Sequence, residues 1–260
     1  MSIPKIIHYC WLSNDPVPQV FQDYIEGWHE LLPDYEFIKW DFSRFEKSSS
    51  AWVSEAFDNK KYAFAADFIR IFAVYNYGGI YMDMDIEVLK SFNDLINLPD
   101  RPYMFARERP DKDWIEAGCF GAEKKNEFLR KCLDYYKDRH FVKPDGTFDT
   151  LPLPRVMYEV IKETHIKLET YPWTFFTAKS YDTGIESPDN TTYAIHHFAG
   201  SWKSVEEQKM IEKAQHLRNT LPVIGSLVAF VYEKINKAVH ALKIGGIKEL
   251  SSKIKQFIRR

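Results

Sequence analysis

Apolar positions along this chain change period several times, and each change predicts an element. Ile3 to Trp11 is mostly apolar and reads as a first, central strand ending in an aromatic. Asn14, Asp15, Pro16 and Pro18 then make a loop. Phe21, Ile25, Trp28 and Leu32 recur at helical spacing, so Pro18–Leu32 is predicted as an amphipathic helix closed by Pro33. Tyr35 to Trp40 reads as a second strand. A β-α-β opening of this kind implies a parallel sheet, whose ligands bind beyond the carboxyl ends of the strands. After Ser48-Ser49-Ser50, a short helix is expected from Ala51 to Phe57. Tyr62 to Tyr77 is apolar almost all round, as in a buried helix, with Gly78 in the position of a C-cap. Beyond Gly79 the period becomes two: Ile80, Met82 and Met84 point one way, Tyr81, Asp83 and Asp85 the other.

Further along, Tyr103–Ala106 reads as a strand, and the small-residue run Ala117–Ala122 leads to a helix from about Lys125 to Asp138. Asn126 fits its N-cap. Pro144-Asp145-Gly146 marks a turn in the loop from Phe141 to Pro154. Arg155–Lys162 is expected to be helical, and Ile166–Tyr171 and Tyr193–Phe198 to be strands. From Val223 the character changes. Ile224, Val228, Val231, Ile235, Val239 and Leu242 make one helical stripe; after Gly245-Gly246, Ile247, Leu250, Ile254 and Phe257 make a second.

The expected division is therefore a domain over residues 1–222 and a helical tail over 223–260. Residues 233–260 hold eight basic side chains against two acidic, a net +6, which leaves −8 for the rest of a chain whose total is −2. A basic amphipathic tail on an acidic domain suits docking on an anionic membrane surface; the alternative is an ordinary solvated helix packed on the domain. The near-neutral total and a pI near 6.5 argue against a nucleic-acid-binding protein. Cys10, Cys119 and Cys132 have neither even number nor C-x-x-C spacing, so no disulfide framework or zinc site is expected. No apolar run approaches 18 residues and no leader pattern is evident, so the expected location is cytoplasmic, peripheral on the inner face of the cell membrane.

The chemistry concentrates at Asp83 and Asp85. Carboxylates two apart on a strand lie about 6.5–7 Å from each other and can share a divalent cation, directly or through its water. Oxygen ligands favour Mg²⁺ or Mn²⁺ over zinc. Asp is depleted in strands, and a pair among Met, Tyr and Ile makes a poor solvated edge. Asp67 and Arg70, three apart on the buried helix, share one face; they suit either an internal ion pair or a site beside the acidic strand. His196 and His197 point opposite ways on a strand, so only one of them can join the cleft. Glu116 and Asn126 are weaker candidates.

The run Ala66-Asp67-Phe68-Ile69-Arg70, Tyr75, and Gly78-Gly79-Ile80-Tyr81-Met82-Asp83-Met84-Asp85 resembles the sugar-binding DxD region of retaining GT-A glycosyltransferases. It is most similar to the family 32 capsular and mannosyl transferases, related to the glucosyltransferase domains of clostridial toxins. The resemblance covers roughly residues 3–202. It implies an α/β GT-A fold: a Rossmann-like nucleotide-binding domain with a mixed sheet flanked by helices, here followed by the C-terminal helical tail. It also implies a nucleotide-sugar donor, UDP-linked in the favoured case, and Mn²⁺ or Mg²⁺ held by Asp83, Asp85 and His197. His197-Phe198-Ala199-Gly200 fits the His-x-x-Gly element of such enzymes, whereas Ser201-Trp202 fits their Ser-x-Trp element only loosely. By the same resemblance, Tyr9 and Trp11 support the nucleotide base, and Asp67, Arg70 and Asp83 serve catalysis. Tyr81, Ser201 and Trp202 complete the donor contacts.

The expected activity is metal-dependent hexosyl transfer, with retention, to a saccharide acceptor carried on a lipid such as a polyprenyl chain, in surface or capsular polysaccharide assembly. Two rivals are weighed. A haloacid-dehalogenase-like phosphatase also uses D-x-D after an apolar strand, but it wants Thr or Val where Glu87 stands, and no preceding β-α-β unit. A non-catalytic sugar-nucleotide-binding or membrane-associated scaffold would keep the fold without the reaction.

Overall fold

In the computed structural model, the opening is the expected parallel unit. β1 (Ile6–Cys10) and β2 (Glu36–Trp40) pair in parallel with Ile6 opposite Glu36, and α1 (Gln19–Leu31) makes the crossover. The structure describes residues 2–239 except 99, 201, 202, 204, 222 and 223. The chain divides into two compact units, Met1–Lys179 with Glu186–Trp202, and Ser180–Ile185 with Lys203–Arg260.

In the first unit, α2 (Ala51–Asp58) is capped by the Ser50 side chain, which accepts from the Val53 N–H at 3.3 Å. α3 (Tyr62–Tyr77) matches the apolar run residue for residue. Gly78 ends it at φ 72°, its N–H donating to the Val74 carbonyl at 2.8 Å, and Gly79 follows at φ 104°. A Cβ on Gly79 would lie 2.5 Å from the Ile6 carbonyl oxygen. Two glycines are therefore required where the chain turns from α3 into the sheet against β1.

β3 (Gly79–Met82) enters beside β1 in parallel, and the sheet continues through β8 (Cys119–Ala122), antiparallel to β3, to β5 (Tyr103–Met104). The order is β2-β1-β3-β8-β5, a mixed sheet. Two small antiparallel ribbons stand apart from it: β4 (Ile86–Val88) with β9 (Ala194–His196), and β6 (Arg107–Arg109) with β7 (Lys112–Ile115). α4 (Asn93–Ile96) is a single turn. α5 (Glu127–Tyr136) starts at Asn126, whose side chain accepts from the Leu129 N–H at 3.3 Å, so Asn126 is used as a cap. α6 (Leu153–Thr164) buries Leu153, Val156, Met157 and Val160 along one stripe.

Two cores cover the two faces of the sheet. Ile80, Met82 and Met84 pack with Trp28, Phe92 and Phe176 on one side. Tyr81 packs with Ile69, Phe105 and Phe120 on the other. The alternation points Tyr81 the same way as Asp83 and Asp85, but Tyr81 is 1% exposed and lies on no open face. A central strand with both faces covered has no open face to offer. His8 is equally buried and neutral: its Nε2–H donates to the Gly78 carbonyl at 2.8 Å, while Nδ1 accepts from the Trp40 indole at 3.1 Å. Burial holds its pKa down at about 4.

Two further expectations differ in detail. β3 stops at Met82, and Asp83–Asp85 form a turn closed by the Ile86 N–H donating to the Asp83 carbonyl at 3.0 Å. The expected strand Ile166–Tyr171 reduces to a single bridge between Tyr171 and Ala106.

In the second unit, α7 (Val205–Thr220) is tied to the segment 180–185: the Gln215 amide donates to the Tyr181 carbonyl, and the Arg218 guanidinium to the Asp182 carbonyl. Residues 225–239 form a further helix that leaves Ile224, Leu227, Phe230, Val231, Ile235 and Val239 exposed. Leu242 and the stripe beyond Gly246 lie outside the described residues. Among the described residues no helix is long and apolar enough to cross a membrane.

Candidate active site

The carboxyl ends of β1 and β3 meet the turn Asp83–Asp85 and the chain leaving β9. The Asp83 N–H donates to the Gly118 carbonyl at 2.7 Å, which seats the turn against the start of β8. Asp85 is held from the other side. Its carbonyl accepts from the His197 N–H at 3.0 Å, and its Oδ2 accepts from the Ala199 N–H at 2.7 Å. Residues 197–199 are thus clasped to the acidic turn, and Oδ1 of Asp85 is left facing His196 Nε2 at 3.5 Å.

The ribbon register decides which histidine arrives. β4 and β9 pair with Ile86 opposite His196, so His196 falls beside the acidic turn. One oxygen each of Asp83 and Asp85 and one ring nitrogen of His196 all lie within 4.8 Å of one another. The sequence reading placed His197 there; the structure puts His197 elsewhere. Its Nε2 is 2.8 Å from Glu87, its Nδ1 is 3.3 Å from the Lys179 ammonium, and its ring stacks on Tyr24. Adjacent residues on a strand face opposite ways, so seating His196 turns His197 out.

Behind the turn lies Arg70. Its Nη1 donates to Asp83 Oδ2 at 3.0 Å and to the Ala117 carbonyl at 2.8 Å; its Nη2 is 3.3 Å from Asp67 Oδ1. The guanidinium sits 4.7 Å above the Tyr81 ring, and the Tyr81 hydroxyl donates to Asp83 Oδ1 at 2.8 Å. Asp67 and Arg70 are therefore an internal ion pair and neighbours of the acidic turn at once. Tyr81 serves as a floor under Arg70 and a donor to Asp83. Tyr9 and Trp11 stand half-buried at the end of β1, with the Trp11 indole donating to the Asp15 carbonyl at 2.9 Å. Ser201 and Trp202 lie outside the described residues.

Glu116, a weak candidate from sequence, lies fully buried at the centre of the polar network. Its Oε1 accepts from the Gly118 N–H at 2.6 Å and stands 3.0 Å from His196 Nδ1; its Oε2 accepts from the Thr177 hydroxyl at 2.6 Å. Thr177 escaped the sequence reading, and Gly118 entered it only as part of the small-residue run Ala117–Ala122. The run Ala117-Gly118 next to a buried acid was the available signal.

Four carboxylates thus share this region with one permanent cation. Burial raises the Asp67 carboxyl to about 6, with Arg70 opposing and Asp83 adding. Burial also raises Asp83, against Arg70 and with Asp85. For His196, burial disfavours the cation, but Glu116, Asp85 and Asp83 outweigh it and lift the imidazole to about 10. A donor set of two carboxylates and one imidazole in an acid-rich pocket fits a divalent ion of the Mn²⁺ type.

Residues 18–101 match the family model of the glycosyltransferase sugar-binding region containing the DXD motif. Residues 18–101 thus carry a glycosyltransferase-type sugar-binding DXD domain. The domain is 32% identical over 102 residues to inositol phosphoceramide mannosyltransferase 3 of Schizosaccharomyces pombe, covering 38% of this chain and 28% of that protein. Against the initiation-specific alpha-1,6-mannosyltransferase of the same yeast the identity is 27% over 257 residues, covering 78% of this chain and 64% of the relative. The chain thus spans less than two thirds of these curated relatives. In fold it is similar to the PaToxG glycosyltransferase, with a TM-score of 0.51 at 19% identity over 63% of this chain and 69% of that one. A glycosyltransferase involved in glycosylation of the major capsid of PBCV-1 gives 0.50 at 13% identity over 80% of this chain and 98% of its own. The fold of the DXD domain is GT-A: a mixed sheet flanked by helices, with a helical C-terminal part.

Proposed function

We propose that this DXD domain is a metal-dependent, retaining glycosyltransferase that moves a hexose from a nucleotide-sugar to a lipid-linked saccharide or headgroup. The observation that carries the reading is the convergence of Asp83, Asp85 and His196 within 4.8 Å at the carboxyl ends of β1 and β3. Those three residues would hold the divalent ion, which offsets the charge gathering on the departing nucleotide diphosphate. Asp67 and Arg70 lie one layer deeper and would take sugar hydroxyls, with Asp83 bridging them to the ligand side. Tyr9 and Trp11, half-buried at the end of β1, would flank the base. Under retention the departing phosphate accepts the proton of the acceptor hydroxyl, so no separate base is required.

The sequence reading favoured a UDP-sugar. The names of the yeast relatives direct attention to mannose as the sugar and, for one of them, to an inositol phosphoceramide acceptor. A lipid acceptor agrees with the exposed apolar face of 224–239 and the basic residues after it, which would rest on an anionic membrane surface.

The test is donor hydrolysis by purified protein over a panel of UDP- and GDP-sugars with Mn²⁺, Mg²⁺ or EDTA, beside an Asp83→Ala/Asp85→Ala variant. Metal-dependent release of nucleotide from one sugar, lost in the variant, is the expected result. Sugar-nucleotide binding without turnover, with or without acceptor lipid, would make the chain a binding module. Phosphate release from simple monoesters, with the panel silent, would overturn the transferase reading.

A further inference from the structure

We infer that Glu116 is a positioning residue: it receives the Nδ1–H of His196 and so presents Nε2 to the Asp83–Asp85 turn. The inference rests on the metal reading given above and deepens it. The two ring nitrogens of a histidine are distinct, and the one that reaches a cation is chosen by the hydrogen bond the other makes. Here Nδ1 stands 3.0 Å from Glu116 Oε1, while Nε2 faces Asp85 Oδ1 at 3.5 Å. Glu116 cannot swing away to another partner, because the Gly118 N–H and the Thr177 hydroxyl each hold one of its oxygens at 2.6 Å. A fully buried carboxylate costs stability unless its partners are in place. This one has three, and one of them is the histidine.

A second, independent feature points the same way. A Cβ on Gly118 would lie 2.7 Å from Cε1 and 2.9 Å from Nδ1 of His196. The bare backbone of Gly118 is what allows the ring to lie flat in its slot. On the other side the ring stacks on Phe198 with centroids 4.1 Å apart. The orientation of His196 is therefore built by Glu116 and Gly118 just before β8, by Phe198 just after β9 and by Thr177, ahead of any ligand.

The experiment titrates Mn²⁺ alone into the purified full chain and reads the free ion by electron paramagnetic resonance. Losing such a partner of a ligating histidine weakens metal about 10–100-fold. Glu116→Gln is expected to show that loss, His196→Ala at least as much, and the double variant no more than His196→Ala alone. Losses that multiply in the double variant would mean Glu116 acts through general packing, and the inference fails. Nitrogen-15 spectra of histidine-labelled wild-type protein with diamagnetic Zn²⁺ need no variant: the proton is expected on Nδ1 of His196, and a proton on Nε2 overturns the inference. Mn²⁺ binding abolished by Asp85→Ala yet unchanged in His196→Ala would sink this inference while leaving the metal reading intact. Wild-type protein that takes up no Mn²⁺ would remove both.

Discussion

Replacing Arg70 by Met tests whether the guanidinium is what makes the acidic site tolerable to the fold. The Arg70 side chain is 8% exposed and makes two ionic contacts, one bond to a carbonyl and one cation–π contact. Methionine keeps most of the length and removes all of these. Breaking a buried ion pair from one side costs about 3–5 kcal/mol, because the remaining charge is left uncompensated. Two considerations set where in that range the loss falls. Asp83 is 26% exposed and can recover some hydration, whereas Asp67, at 12%, recovers little. We therefore expect about 3–4 kcal/mol, a large part of the roughly 5–15 kcal/mol that holds a domain folded. Urea denaturation followed by tryptophan fluorescence reads it, since Trp28, Trp40 and Trp52 are all buried in the same unit. The penalty must also depend on pH. The Asp67 carboxyl is already raised to about 6 with Arg70 present, and without Arg70 it rises further. Below that range Asp67 is neutral in both proteins and the penalty shrinks; it grows as pH rises from about 6 through the variant's higher value. Asp67→Asn in the Arg70→Met background should accordingly recover stability at pH 8. A loss under about 1 kcal/mol at pH 8, or a double variant no more stable there than Arg70→Met, would refute the reasoning.

Three further outcomes are expected. His8 has a folded pKa of about 4 against 6.5 unfolded, so its contribution is complete above pH 6.5 and is lost as pH falls towards 4. That is about 3 kcal/mol, and comparing the acid-side pH–stability curves of wild type and His8→Gln should show a shallower slope in the variant. Gly79→Ala places a methyl 2.5 Å from the Ile6 carbonyl at a φ of 104°; it should cost at least about 2 kcal/mol by thermal or urea unfolding. Mn²⁺ at about 100 times its dissociation constant should stabilise the wild type by about 2.7 kcal/mol, and a thermal melt of Asp85→Ala should show no such shift.

Much of the frame was legible in the chain itself. The apolar periods predicted α1, α3 and the strands β1 and β2 with their ends nearly in place, and the start of β3, because each element must bury one face or all of itself whatever surrounds it. Gly78 followed from the same logic, as the C-cap where the helix ends; that Gly79 must also be glycine is set by its close approach to β1. The acidic pair, and Asp67 with Arg70 one helical turn apart, stood out because charges amid apolar residues need a reason.

What periodicity did not decide was where those groups point and what they meet. It treated Tyr81, Asp83 and Asp85 as one exposed face, yet Tyr81 is sealed under α3. The carboxylates converge through a turn that no alternation describes. The choice of His196 over His197 depended on the pairing of β4 with β9, residues more than a hundred positions apart in the chain. A one-residue slip of that register would have exchanged the two rings. Glu116 was only a weak candidate, and Thr177 none, for the same reason: a buried acid becomes meaningful only when its partners arrive from elsewhere in the fold. Local sequence determines which faces must be hidden, since burial is a property of each element. The contents of a polar site are set by long-range register and close approach, which only the assembled sheet and its ribbons supply.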